Sequence, residues 1–151
     1  MAELHVRRAT IADLEALIAL EREVFASDRI SARQWRRHLE SLTAEVFVAT
    51  LEQHLLGAAL VFFRRNSSVA RLYSLAVAAA ARGHGVGERL LAKAEHAACR
   101  RHNRLLRLEV RRENLRAQRL YERHGYRLTG ERRAFYEDGQ DARRYEKPLA
   151  P

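Results

Sequence analysis

Six consecutive residues, Arg82-Gly83-His84-Gly85-Val86-Gly87, constrain this chain more than any others. An apolar run over residues 72–77 precedes them, and a helical pattern over residues 88–101 follows. A strand that turns on glycines into a helix gathers several backbone N–H groups in one place. Together with the positive end of the helix dipole, those groups suit a phosphate or pyrophosphate. A Cβ there would block the ligand's approach and forbid the positive φ angles of a tight nest. The competing reading is a plain strand-to-helix turn. Two common phosphate motifs are excluded. A P-loop ends in Gly-Lys-Ser/Thr, whereas Gly87 is followed by Glu88 and Arg89. A dinucleotide fold sets its glycines after the first strand of a βαβ unit, whereas here a helix, helix, strand, strand pattern comes before the loop.

The 151 residues are expected to form one domain over 1–151, long enough for a real core. A hydrophobic fraction of 47% excludes a disordered chain. The longest apolar stretch, residues 55–63, is too short to span a bilayer, and Met1-Ala2-Glu3-Leu4-His5 lacks the form of a secretory leader. A cytoplasmic protein without a membrane partner is the expectation. The single cysteine, Cys99, excludes an internal disulfide, fits a reducing compartment and reads as a small buried hydrophobe. The formal net charge of +9 would attract anionic partners. The arginines are scattered, however, and lysine occurs only at Lys93 and Lys147; the skew reads first as a trace of GC-rich coding, and otherwise as a basic surface for an anionic cofactor or a ribosome-associated substrate. Clustered arginines with exposed stacking aromatics, as a nucleic-acid-binding module requires, are not visible.

Residues 4–8 read as a first strand. Thr10 and Asp13 start a helix with Leu14, Leu17, Ile18 and Val24 on its apolar face. Ser31 and Gln34 repeat that capping logic before Trp35 and Leu39. Residues 46–51 and 55–63 read as a hairpin, and residues 69–77 as the strand before the glycine loop. Residues 105–110 form a short buried strand. Asn114 caps a helix with Ala117, Leu120, Tyr121 and His124 on one stripe, and Gly125 ends it. Residues 128–136 and 142–147 form a last hairpin turning at Asp138-Gly139. The order is βααβββαβαββ, and the class is mixed α/β (α+β) with a largely antiparallel sheet.

The second informative stretch is Leu108-Glu109-Val110-Arg111-Arg112-Glu113-Asn114, continuing to Ala117, Leu120-Tyr121 and Gly125-Tyr126. The pattern Arg82-x-x-Gly85-x-Gly87 resembles the pyrophosphate loop of the GNAT superfamily of acetyl-CoA-dependent N-acetyltransferases. The second pattern is similar to that of one subgroup, the bacterial ribosomal-protein-alanine N-acetyltransferases. The resemblance covers nearly the whole chain and implies the GNAT fold, in which two neighbouring parallel strands splay apart around the pantetheine arm.

It further implies that Leu75, Ala76 and Val77 hold the pantetheine through backbone groups, with the Val77 N–H facing the oxyanion. Arg82, Gly83, His84, Gly85, Val86, Gly87 and Glu88 would surround the diphosphate, His84 as a solvated spacer. Asn114 and Ala117 would complete the coenzyme site. Glu109 is implied as general base acting through water, and Tyr121 as the acid that protonates the leaving thiolate. Read from the residues alone, Glu109 is a salt-bridge partner of Arg107 or Arg111, and Tyr121 an ordinary core tyrosine. Tyr136 on the last hairpin is a candidate substrate contact. Trp35 is either the opposite wall of the acceptor site or a buried anchor. His124 reads as a helix-end packing residue, and no histidine shows metal-ligand spacing, so no metal is expected.

The acceptor implied is a primary amine, first a protein N-terminal α-amine. The alternatives are a small-molecule amine, a basic nucleic-acid-binding module, or a silent acyl-CoA-binding regulator. Nucleic acid is expected only through a ribosomal substrate, and the chain is expected to be a monomer or a homodimer.

Overall fold

Short capping contacts set where the helices begin. The Thr10 N–H donates to the Asp13 carboxylate at 2.8 Å, and Arg7 grips the same carboxylate with both guanidinium arms at 2.9 Å. Residues 11–13 make one 3₁₀ turn that leads into the first α-helix. Ser31 and Gln34 form a reciprocal box: the Gln34 N–H donates to the Ser31 hydroxyl, and the Ser31 N–H to the Gln34 side chain. Each such cap is worth about 1 kcal/mol. The computed structural model describes residues 2–150; Met1 and Pro151, the ends of the expected domain, lie outside the described residues. The elements are β1 (His5–Arg8), α1 (Leu14–Val24), α2 (Ala32–Glu40), β2 (Ala44–Leu51), β3 (His54–Phe62), β4 (Val69–Val77), α3 (Val86–Arg100), β5 (Leu105–Arg111), α4 (Leu115–Arg123), β6 (Arg127–Arg132) and β7 (Ala142–Pro148). This is the expected order, βααβββαβαββ.

The strands form one seven-stranded mixed sheet in the order β1-β2-β3-β4-β5-β7-β6. Only the β4–β5 pair is parallel. β2 is buried at nearly every position, so both of its faces are covered. The helices that supply the cover are α2 and α3, while α1 packs on β3 and β4.

The feature that matters for function lies between β4 and β5. Their pairing runs only from Val69 with Leu105 to Leu72 with Leu108. Beyond it, β4 stays with β3 and β5 stays with β7, so the two strands part. A register shift coincides with the parting. Val61 faces Leu72 and Leu60 faces Ser74, which leaves Tyr73 as the extra residue of a bulge. A bulge bends its strand and increases the local twist, which draws the end of β4 away from β5.

Gly57 of β3 lies under α3. A Cβ on it would come within 2.8 Å of Val86 Cγ1 and 2.9 Å of Leu90 Cδ1. α3 therefore rests directly on the β3 backbone.

Three sequence expectations are corrected. α3 begins at Val86, because the left-handed Gly85 (φ +77°) caps it. The first arm of the last hairpin ends at Arg132, and residues 133–141 form a long loop. Within that loop the Gly139 N–H donates to the Tyr136 carbonyl at 2.9 Å, and Ala134 takes a φ of +49°. The predicted turn at Asp138-Gly139 thus lies inside the long loop that joins the paired β6 and β7, and does not link the strand ends directly. Cys99 is half-buried rather than enclosed, and its thiol meets the Ala150 carbonyl.

Candidate active site

The glycine loop opens at the end of β4. Ala79, Ala80 and Ala81 make a 3₁₀ turn, held from α1 by the Glu23 carboxylate, which accepts the Ala79 N–H at 3.0 Å. Gly83 and Gly85 both take left-handed angles, +83° and +77°, and nothing lies within 4 Å of where their Cβ atoms would be. The ground in front of these glycines is open, as an anion nest at the start of α3 requires. Arg82 and His84 flank it as exposed side chains. Val86 turns its side chain into the core. Gly87 has a different job: a Cβ there would be 3.2 Å from Leu120 Cδ2, so its bareness lets α4 approach α3. The Glu88 carboxylate is drawn toward Arg123 at 3.5 Å.

The parted strands supply a slot beside this nest. A Cβ on Gly57 would lie 2.9 Å from the Ala76 carbonyl oxygen, so that carbonyl points toward β3. The Val77 N–H shares its trans peptide with this carbonyl and therefore points the opposite way, into the gap toward β5. The Ala78 N–H donates to the Leu56 carbonyl at 2.8 Å, which fixes the same alternation. Leu75 and Val77 thus present backbone groups to the gap. Ala76, expected beside them, uses its own polar groups on β3 and offers none. At the far side, the Asn114 side-chain oxygen accepts the Ala117 N–H at 3.1 Å. The Asn114 amide nitrogen remains a donor at the start of α4.

Glu109 sits on β5 where the strands part, with its side chain only 4% exposed. β5 alternates as expected, with Leu106, Leu108 and Val110 buried on one face. The carboxylate's partners are not those the sequence suggested. Arg107 pairs with Glu146, and Arg111 with Asp28 and Asp138. Glu109 is instead held by Arg144 Nε at 3.0 Å and approached by Arg71 at 2.7 Å. The Arg71 contact lacks hydrogen-bond alignment, so Glu109 Oε1 keeps a free lone pair while buried. Arg71 lies on β4 and Arg144 on β7, and sequence reading missed both. Only strand pairing brings them to β5: Arg144 is directly opposite Glu109 in register.

Tyr121 is 6% exposed and packs among two other buried tyrosines, 5.7 Å from Tyr126 and 6.4 Å from Tyr145 between ring centroids. Tyr126 donates its hydroxyl to Glu95 at 2.8 Å and Tyr145 to Glu122 at 2.7 Å. The Tyr121 hydroxyl donates to no other described residue. Burial, reinforced by Tyr136, pushes its phenol well above the usual tyrosine range, so it holds its proton. Tyr136 lies within electrostatic reach of both candidate catalytic groups. Its phenol is pushed up to about 12, chiefly by burial, with the charges of Glu109 and Asp28 adding to the rise and Arg111 opposing it. Trp35, by contrast, is 2% exposed and stands against His38. Of the two readings of Trp35, this burial agrees with the core anchor and leaves little surface for an acceptor. His124 ends α4 as a half-buried cap residue.

The parted parallel strands, with an open nest at one end and a buried carboxylate and tyrosine beside them, place backbone donors suited to a phosphate-bearing ligand next to groups able to move a proton. Residues 8–149 match the acetyltransferase (GNAT) domain, and the chain belongs to that family. It is an N-acetyltransferase. It is 29% identical over 138 residues to a Bacillus subtilis (strain 168) protein provisionally described as a [ribosomal protein bS18]-alanine N-acetyltransferase, covering 91% of this chain and 90% of that one. The fold is shared with the Escherichia coli ribosomal-protein-S18-alanine N-acetyltransferase, at a TM-score of 0.87 and 24% identity over 99% of this chain and 96% of that one. It is shared too with a chain of the NatC complex bound to Gag peptide and CoA, at a TM-score of 0.84 and 23% identity over 98% of this chain and 99% of that one.

Proposed function

We propose that the chain acts as a single cytoplasmic domain that acetylates a protein N-terminal α-amine with acetyl-CoA as donor. The observation that carries this reading is the gap between β4 and β5, which leads from the open nest at Gly83 and Gly85 to Glu109. The 29% identical relative favours an α-amine acceptor.

Bound acetyl-CoA supplies an acyl group activated as a thioester. Backbone N–H groups from Gly83 to Glu88 would hold its diphosphate, with Arg82 adding positive charge. Leu75 and Val77 would bond the pantetheine arm, and the Asn114 amide would donate to it from the other side. The Val77 N–H would be the donor for negative charge developing on the acyl oxygen. Glu109 takes the acceptor's proton through a water that reaches Oε1. A carboxylate serves an α-amine, with a pKa of about 7.7–8.0, more readily than a lysine amine at about 10.4. Tyr121 gives its proton to the departing sulfur.

The test is thiol release from acetyl-CoA with peptides of varied first residue, the same peptides blocked at the N-terminus but carrying lysine, and free amines. Unblocked peptides are expected to react and blocked ones to be inert. Reaction with free amines alone would replace the proposed acceptor by a small molecule. For Glu109→Gln, the loss of turnover should shrink as pH rises and the amine deprotonates by itself. A loss that stays constant with pH would make Glu109 structural.

A further inference from the structure

Two loops border the C-terminal end of β5 just beyond Glu109: residues 25–31, between α1 and α2, and residues 133–141, between β6 and β7. Arg111, two positions past Glu109 and on the same face, reaches both. One arm of its guanidinium donates to Asp138 at 2.9 Å and lies 3.6 Å from Glu113. The other donates to the Ser27 hydroxyl at 2.7 Å and to Asp28 at 3.2 Å. Its guanidinium carbon lies 4.2 Å from the centroid of the Tyr136 ring. The loops also meet directly, because the Glu137 N–H donates to the Asp28 carboxylate at 3.2 Å. Asp28 makes these contacts in the left-handed region, at φ +54°. A non-glycine residue held there costs of order 1 kcal/mol or more and persists where surrounding contacts impose it.

We propose that Arg111, acting through Asp28, is the positioning residue that locks these two loops into one wall of the acceptor site and so sets acceptor affinity. This rests on the reading of the β4–β5 gap as the acetyl-transfer site. The chemistry requires arginine. Its rigid fork donates in two directions at once, whereas a lysine is a single point charge that reaches one loop or the other. Without the guanidinium, Asp28 and Asp138 would lose their shared cation, the Glu137 N–H on Asp28 would remain as the direct contact between the loops, and the loops would loosen. Glu109 and Tyr121 would stay in place, because Arg111 contacts neither. The coenzyme slot would also be untouched, since it lies on the β4 side.

The experiment uses the full chain and has two readouts. Steady-state kinetics with an alanine-starting peptide should show the peptide KM raised about tenfold in Arg111→Met, the cost of losing hydrogen bonds to a charged group. The acetyl-CoA KM should be unchanged, and Arg111→Lys should fail to restore the peptide KM. Hydrogen exchange supplies the readout that needs no activity. In Asp28→Asn, which leaves Arg111 intact, amides of residues 133–141 should exchange faster although the change is in the other loop. If acetyl-CoA and peptide KM rise together, or if Arg111→Lys behaves as wild type, the assignment of acceptor affinity is overturned. If exchange in residues 133–141 is unaffected by Asp28→Asn, the lock itself is overturned. A wild-type chain that acetylates no amine would overturn the functional reading, while the exchange result would still decide the lock.

Discussion

Three tyrosines share one buried cluster, and the partner of each hydroxyl sets them apart. Tyr126 and Tyr145 each donate to a carboxylate, whereas Tyr121 donates to no other described residue. The Tyr121 ring is enclosed but its hydroxyl is not sealed off, so the residue is either a core tyrosine with a wetted tip or a donor awaiting a ligand acceptor. Tyr121→Phe separates these readings, because it keeps the ring and removes only the proton. Turnover should fall by roughly 10²-fold or more, as for loss of a positioned acid, with coenzyme affinity by calorimetry unchanged. Unchanged turnover would return Tyr121 to the core. The pH profile carries the same assignment with a definite sign. The Tyr121 phenol is raised, so its proton is present throughout the neutral and mildly alkaline range. Activity governed by it should show no falling limb below about pH 10, the unperturbed tyrosine value. A falling limb near pH 8 would point to another acid.

At the level of elements, the site exists because β4 leaves β5 after Leu72 while α3 stays close to β3. The two facts are linked through Gly57, whose missing side chain admits Val86 and Leu90 at the first turns of α3. Those turns begin with the glycine nest, so the height of α3 above the sheet sets where an anion would sit. Gly57→Ala inserts a methyl into occupied space and should destabilise the fold by about 1–3 kcal/mol, read by chemical denaturation. It should weaken coenzyme binding as well, because α3 must shift. Full stability in the variant would show that α3 is not seated this way. The final hairpin shows the limit of local reading in the other direction. Asp138 and Gly139 looked like a strand-to-strand turn, yet Arg132 ends β6 and the following residues are drawn toward Arg111 and Asp28.

Across the whole molecule, the positive charge is largely dispersed. Glu45, buried in β2, lies within ion-pair distance of Arg8, Arg100 and Arg101; Glu109 is held between Arg71 and Arg144; Asp13 is gripped by Arg7. Many arginines thus tie elements together. No described helix is long and apolar enough to cross a membrane. A fold built around a slot for one ligand should be stabilised by that ligand through mass action. At a hundredfold excess over its Kd, acetyl-CoA should add about 2.7 kcal/mol, or roughly 5–10 °C in Tm for a chain of this size. An unmoved Tm would argue against the slot. Much of this design is legible in the linear chain, because it depends on neighbours a few residues apart. Element order follows from periodicity, the helix starts from Ser31, Thr10 and Asn114, and the nest from glycines spaced for positive φ. The family patterns at Arg82 to Gly87 and Glu109 to Tyr126 lie within such stretches. What the linear chain left open was every decision made across the sheet: that Glu109 meets Arg71 and Arg144, that Trp35 is enclosed, that Ala76 faces β3, and that Arg111 joins two loops. Each depends on strand register, on helix packing or on loop approach, which bring together residues tens of positions apart and leave no periodic trace along the chain.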